Sequence, residues 1–159
     1  GDMITSTGAM VTITGVGQTH ITATQAGNAD YNAATPVTHT LTVNPGEQTI
    51  TWSAIPSPTY GDADFSLPDT TNRGLVIVYT SDNPSVATVT DNQVHIVGGG
   101  TAQITATQAG NTNYNAADSV THTLTVNKAA QIIVWDSIPS KTYGAADFYL
   151  PDTTDMGLT

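Results

Sequence analysis

Oxygen is the main functional element this chain has in quantity: thirteen Asp and Glu, many Thr, Ser and Asn, and four His, against three basic residues and no cysteine. Without a thiol there is neither a disulfide framework nor a thiolate metal site. No Ser/His/Asp set recurs, so nucleophilic catalysis has no candidate residue and the chain is not expected to be an enzyme. Hard oxygen ligands suit calcium, and Asp62 and Asp64 flank Ala63 in a turn beside Gly61. The same carboxylates also suit capping a turn or starting a strand, and the later counterpart of Asp62 is Ala145, while Asp64 is matched by Asp147. Calcium there is the one cofactor the residues suggest; otherwise none is expected. His39 and His122 fall by parity on the apolar face of their strands, where a hydrogen-bonded, part-buried ring is a commoner role than metal ligation or pH sensing.

These residues sit on a repeating framework. The octet Ile21-Thr-Ala-Thr-Gln-Ala-Gly-Asn28 recurs letter for letter as Ile104 to Asn111, eighty-three positions later. The offset holds elsewhere, since Val43 answers Val126, Trp52 answers Trp135, Tyr60 answers Tyr143 and Leu75 answers Leu158. A period this long, with no helical pattern inside it, points to tandem domains rather than a solenoid of short repeats. In that register residues 1–44 are the C-terminal half of one module, 45–127 a complete module, and 128–159 the N-terminal half of a further one.

Thr, Val, Ile, Asn and Gly dominate while Leu, Glu and Lys are scarce, the profile of short strands joined by tight turns. The complete module reads as about seven strands. The first spans Thr49–Ser53 with Ile50 and Trp52 inward, and Pro56 and Pro58 then forbid ladder bonding. A short strand follows around Phe65 and Leu67. Leu75–Tyr79 is apolar on both faces and is expected to be a central strand and the best-buried element. Val86–Val89, Val94–Val97 and Ala102–Thr107 come next, and Val120–Val126 alternates cleanly, placing Val120, His122, Leu124 and Val126 on one face and three threonines on the other. Seven strands in about 80 residues is the arithmetic of an all-β, immunoglobulin-like β-sandwich, repeated with period 83.

Two stretches carry a resemblance. Tyr79-Thr-Ser-Asp-Asn-Pro-Ser-Val-Ala-Thr-Val89, followed by Val94-His-Ile-Val-Gly-Gly-Gly-Thr-Ala-Gln-Ile-Thr-Ala-Thr107, is similar to the bacterial immunoglobulin-like (Big, group 2-like) repeats of long surface proteins. Ile55 to Phe65 and Gln108 to Ala117 resemble an extended variety of the same repeat. The resemblance implies an immunoglobulin-like fold and a stalk or adhesin context, with no catalytic residues to carry over. In an adhesin, the Gln108–Ala117 loop with Asn111, Asn113 and Tyr114 would be the candidate binding surface. The plainer reading has Tyr31 and Tyr114 packing back onto the rim of the sandwich.

A formal charge of −10 repels nucleic acid and anionic membranes, and no apolar run approaches the roughly 20 residues that span a bilayer. Such a Thr-rich, Lys-poor acidic chain is typical of secreted bacterial surface arrays, so an extracellular or cell-surface location is expected. Asp followed by Ser or Thr and then an aliphatic residue or Thr occurs at Thr70, Ser119, Ser137 and Thr153, and is similar to the acceptor pattern of an O-glycosylation system of secreting bacteria. Lys128 and Lys141 align with Pro45 and Pro58, which argues against an isopeptide cross-link built into each repeat. The expected partners are neighbouring modules. Either a longer chain completes the two half-modules, or the front half of one chain meets the back half of the next and the contact propagates head to tail into a fibre.

Overall fold

The computed structural model describes residues 4–7, 10–135, 137–150 and 152–158, with side chains from residue 10 onward. The architecture is all-β, with no helix among the described residues. Among the described residues ten strands follow one another: β1 (Ile4–Thr7), β2 (Met10–Ile13), β3 (Gly17–Ala23), β4 (Val37–Val43), β5 (Phe65–Ser66), β6 (Val78–Ser81), β7 (Ala87–Thr90), β8 (Gln93–Ile96), β9 (Gly100–Gln108) and β10 (Ala117–Val126). They form two three-stranded antiparallel sheets, ordered β10-β9-β6 and β5-β8-β7, and two hairpins, β1-β2 and β3-β4.

The two larger sheets share one core, whose thirteen buried apolar residues all lie between Ile50 and Val126. Val94, Ile104 and Leu124 are its largest fully enclosed side chains. Strand alternation explains the selection: Ala102, Ile104 and Ala106 point inward from β9 and Leu124 and Val126 from β10, while the threonines between them stay on the outer face. Outside, Thr105 and Thr121 bond hydroxyl to hydroxyl at 3.0 Å across the β9–β10 pair. Threonine thus joins strand propensity to a solvated hydrogen-bonding face.

Two expected strands behave differently. Thr49–Ser53 forms no ladder, although Ile50 and Trp52 do face the core. The extended segment 46–59 instead runs beside β10 in the same direction, joined at its ends by parallel bridges Gly46↔Tyr114 and Thr59↔Asn127. Its middle is held by side chains: Asn72 Oδ1 accepts from Thr49 N at 2.9 Å, and the Trp52 carbonyl accepts from His122 Nε2 at 2.9 Å. The segment 75–79 is not the best-buried element. It reaches strand geometry only at Val78 and lies at a sheet edge, so Ile77 and Tyr79 are buried while Val76 and Val78 are 69% and 59% exposed. Apolar residues on both faces here mark an edge strand with an uncovered outer side. The most enclosed strand is β9, flanked by β10 and β6.

Several contacts of the flanks match contacts of the middle segment at an offset of eighty-three. Every partner in the β3–β4 register, from Gly17↔Val43 to Ala23↔Val37, moves by eighty-three onto the β9–β10 register, from Gly100↔Val126 to Ala106↔Val120. Similarly, Ile4↔Ile13 in β1–β2 corresponds to Ala87↔Ile96 in β7–β8. On the C-terminal side, Thr154 Oγ1 donates to Gln131 Oε1 at 3.1 Å, as Thr71 Oγ1 does to Gln48 Oε1 at 3.0 Å.

Candidate functional site

Asp64 precedes β5, and its two oxygens reach across to β8: Oδ1 accepts from the Ile96 amide at 3.0 Å and Oδ2 pairs with His95 Nδ1 at 2.6 Å. The His95 hydrogen bond comes first in holding the Asp64 carboxyl below its ordinary value of 3.8, with the Ile96 amide second. Asp62 turns elsewhere, its Oδ2 accepting from the Thr59 amide at 2.7 Å. The proposed calcium pair is therefore two separate structural contacts, one closing a turn and one clamping β5 to β8. Among the described residues no group of three or more His, Asp or Glu is placed to hold a metal ion.

His122 occupies the site expected of it. Its ring packs edge-on to Trp52 at 4.5 Å between centroids, and Nε2 lies 2.9 Å from the Trp52 carbonyl oxygen. A carbonyl only accepts, so Nε2 carries the proton. Tyr79 meets the same indole edge-on at 5.4 Å and donates its hydroxyl to the Pro68 carbonyl at 2.8 Å; burial, then the nearby Asp69, pushes its pKa up. His39, expected on an apolar face, is exposed, because little packs over the β3–β4 hairpin.

The candidate binding loop is built for shape. Gly110 turns the chain at φ +79°, and the Asn111 side-chain oxygen accepts from the amides of Asn113 at 2.8 Å and Tyr114 at 3.0 Å. That carboxamide oxygen is spent inside the loop, as in an Asx turn. Tyr114 is half-buried, with Arg73 5.5 Å above its ring and Gly46 bridged to its backbone. The earlier copy repeats the turn, Asn28 Oδ1 accepting from Asp30 and Tyr31 at 2.9 Å each. Tyr31, however, is 75% exposed, because no described segment takes the place of Gly46 beside it. The rim packing expected of both tyrosines thus holds for Tyr114 alone.

Thr70, Ser119, Ser137 and Thr153 are all exposed. Ser119 lies where the β9–β10 register slips between Ala117 and Val120. Asp136, which precedes Ser137 in the acceptor pattern, lies outside the described residues. Sequence reasoning missed the His95–Asp64 pair, whose members stand 31 positions apart, and a polar cluster in which Gln48 Nε2 donates to Gln108 Oε1 and to the Asn115 carbonyl, each at 2.7 Å. Gln48 is buried and fully engaged. The recurrence of glutamine at 25 and 108 and at 48 and 131 was the available signal.

Comparisons with protein-family models, with curated protein sequences and with solved structures found no match.

Proposed function

We propose that this chain is a segment of a tandem immunoglobulin-like array, a spacer or filament-forming part of a secreted or cell-surface bacterial protein, without chemistry of its own. The single observation that carries this reading is the recurrence of register and hydrogen bonds at one offset on both sides of the middle unit. The strand order supports the immunoglobulin-like part. Taking segment 46–59 as strand A′ and β5 to β10 as B to G, the sheets read B-E-D and G-F-C with A′ beside G, which is the order of that sandwich. The resemblance to Big-type repeats points the same way.

A spacer needs stiff joints, and the chain has short ones. Asn127 is pinned by its amide to the Pro58 carbonyl and by its carbonyl to the Tyr60 amide, both at 2.8 Å. Only Lys128, Ala129 and Ala130 then separate it from Gln131, the counterpart of buried Gln48. With strands of six to eight residues plus end loops, each module adds about 35 to 45 Å. The loop geometry favours this reading over an adhesin, since the Asn111 oxygen and the Tyr114 ring are already engaged within the unit.

Small-angle scattering from one, two and three concatenated copies of residues 45–127 tests the reading. The longest dimension is expected to grow by a constant step near that length, and the chain to bind nothing on a glycan array. A length that fails to grow, or saturable glycan binding lost on Tyr114→Ala, contradicts it.

A further inference from the structure

We infer that residues 45–127 form a tension-resisting unit, in which segment 46–59 and β10 are a clamp that holds against force applied along the chain. This function rests on the spacer reading above in one respect, that tension enters and leaves the unit through its neighbours in the chain.

The clamp follows from where the chain goes in and comes out. Segment 46–59 and β10 run in the same direction, with Gly46 beside Tyr114 and Thr59 beside Asn127. The chain therefore enters the pair at one end and leaves it at the other. Tension pulls segment 46–59 and β10 past each other in opposite senses, so the bonds that join them are loaded together and sideways. Entry and exit at the same end would instead open those bonds one after another. Each hydrogen bond is weak by itself against water, so sharing the load decides the resistance.

Contacts at both ends and in the middle oppose the slide. At the entry, Gly46 donates its amide to the Asn113 carbonyl at 2.8 Å and accepts from the Asn115 amide at 2.9 Å. Asn115 Nδ2 donates to Glu47 Oε1 at 2.8 Å, and Gln48 Nε2 donates to the Asn115 carbonyl at 2.7 Å. At the exit, Asn127 is held through both its amide and its carbonyl, by Pro58 and Tyr60. Between the two, His122 holds the Trp52 carbonyl, and sliding would drag buried Ile50 and Trp52 out of the core. Trp52 would also leave its edge-on contacts with Tyr79 and His122.

This arrangement gives the absent ladder of segment 46–59 a physical sense. Pro56 and Pro58 have no amide to donate, yet the Pro58 carbonyl still accepts from Asn127. Bonds gathered at the two ends of the pair, with the indole wedged between them, oppose sliding without a continuous ladder.

Single-molecule pulling of the 159-residue chain tests this, and cysteine handles are unique because the chain has no cysteine of its own. Handles at Pro45→Cys and Lys128→Cys apply force along the chain. Handles at Pro45→Cys and Thr112→Cys apply it across one end of the pair, which then peels. All three positions are exposed, and neither pair of handles puts the flanks under load. Forced unfolding reads the unfolding barrier, so the two directions are compared at one loading rate. Rupture along the chain is expected at a several-fold higher force than peeling. Asn127→Pro, which removes the amide held by the Pro58 carbonyl, is expected to lower the along-chain force and leave the peeling force unchanged, because peeling starts at Gly46. His122→Phe, which keeps a ring against Trp52 while removing its bond, is expected to do the same. Equal forces in the two directions, an along-chain force that neither variant lowers, or variants that lower both forces alike overturn the clamp. Equal forces in a chain whose concatenated middle units still lengthen in regular steps refute the clamp alone. Direction-dependent forces without that lengthening keep the clamp and contradict the spacer reading.

Discussion

Ile21 and Ile104 sit in identical octets and in identical registers, opposite His39 and His122, yet one is 38% exposed and the other fully enclosed. Local sequence and local pairing are equal, so the difference lies in what packs across the strand. Ile104→Ala is expected to destabilise the middle unit by about 2 to 5 kcal/mol through lost transfer energy and a residual cavity. Ile21→Ala is expected to cost under about 1 kcal/mol in monomeric chain, since most of that side chain is still wet. Urea titrations followed by Trp52 emission and by far-UV dichroism separate the two. Equal effects contradict the packing difference.

Asp64 carries a second prediction at this scale. Its carboxyl is depressed in the folded state by the His95 and Ile96 hydrogen bonds, so it binds its proton more weakly folded than unfolded. The stabilisation is present above the ordinary value of 3.8 and is lost as pH falls below that value through the lower folded one. Urea midpoints from pH 6 down to about 2 are therefore expected to fall less steeply at the acid end for Asp64→Asn than for the parent chain. Superimposable profiles contradict the clamp.

Among the elements, the legible ones were those whose pattern needed only one face to be explained. β10 was readable because Val120, Leu124 and Val126 alternate with threonines, and β9 because Ala102, Ile104 and Ala106 do the same. Thr49–Ser53 forms no ladder although its pattern suggests one, because inward Ile50 and Trp52 imply only an extended chain, whereas a ladder also needs a neighbour at hydrogen-bonding distance. Parity cannot supply that neighbour. Val76 and Val78 misled for the converse reason, since composition does not reveal whether the second face of an apolar strand is covered. Of the candidate site residues, Asn111 is legible as a loop residue but its turn onto Asn113 and Tyr114 is not, and the Asp64–His95 clamp requires knowing that β5 lies against β8.

Loop geometry offers an element-scale test. A Cβ at Gly110, where φ is +79°, would sit on the Tyr114 carbonyl oxygen, while one at Gly61, where φ is +95°, meets nothing within 4 Å. Gly61→Ala is expected to cost about 1 to 2 kcal/mol for the left-handed backbone alone. Gly110→Ala is expected to cost clearly more, since the turn that seats Tyr114 beside Gly46 must open. Thermal unfolding of both variants, with the Tyr114 environment followed by near-UV dichroism, checks the order. A Gly110→Ala change no costlier than Gly61→Ala contradicts the close approach.

At the scale of the whole molecule, one enclosed core lies between two flanks that copy parts of its surroundings. The chain has no cysteine to tie its parts together, so hydrophobic enclosure and hydrogen bonds carry the stability of the core between Ile50 and Val126. An account in which one sandwich is encoded per eighty-three residues requires the middle unit to fold by itself. Residues 45–127 on their own are the direct measurement. Their urea unfolding is expected to be a single cooperative transition, with Trp52 fluorescence and far-UV dichroism coinciding. An excised unit with no cooperative transition, or one that acquires structure only when residues 1–44 or 128–159 are restored, would contradict the account at its centre.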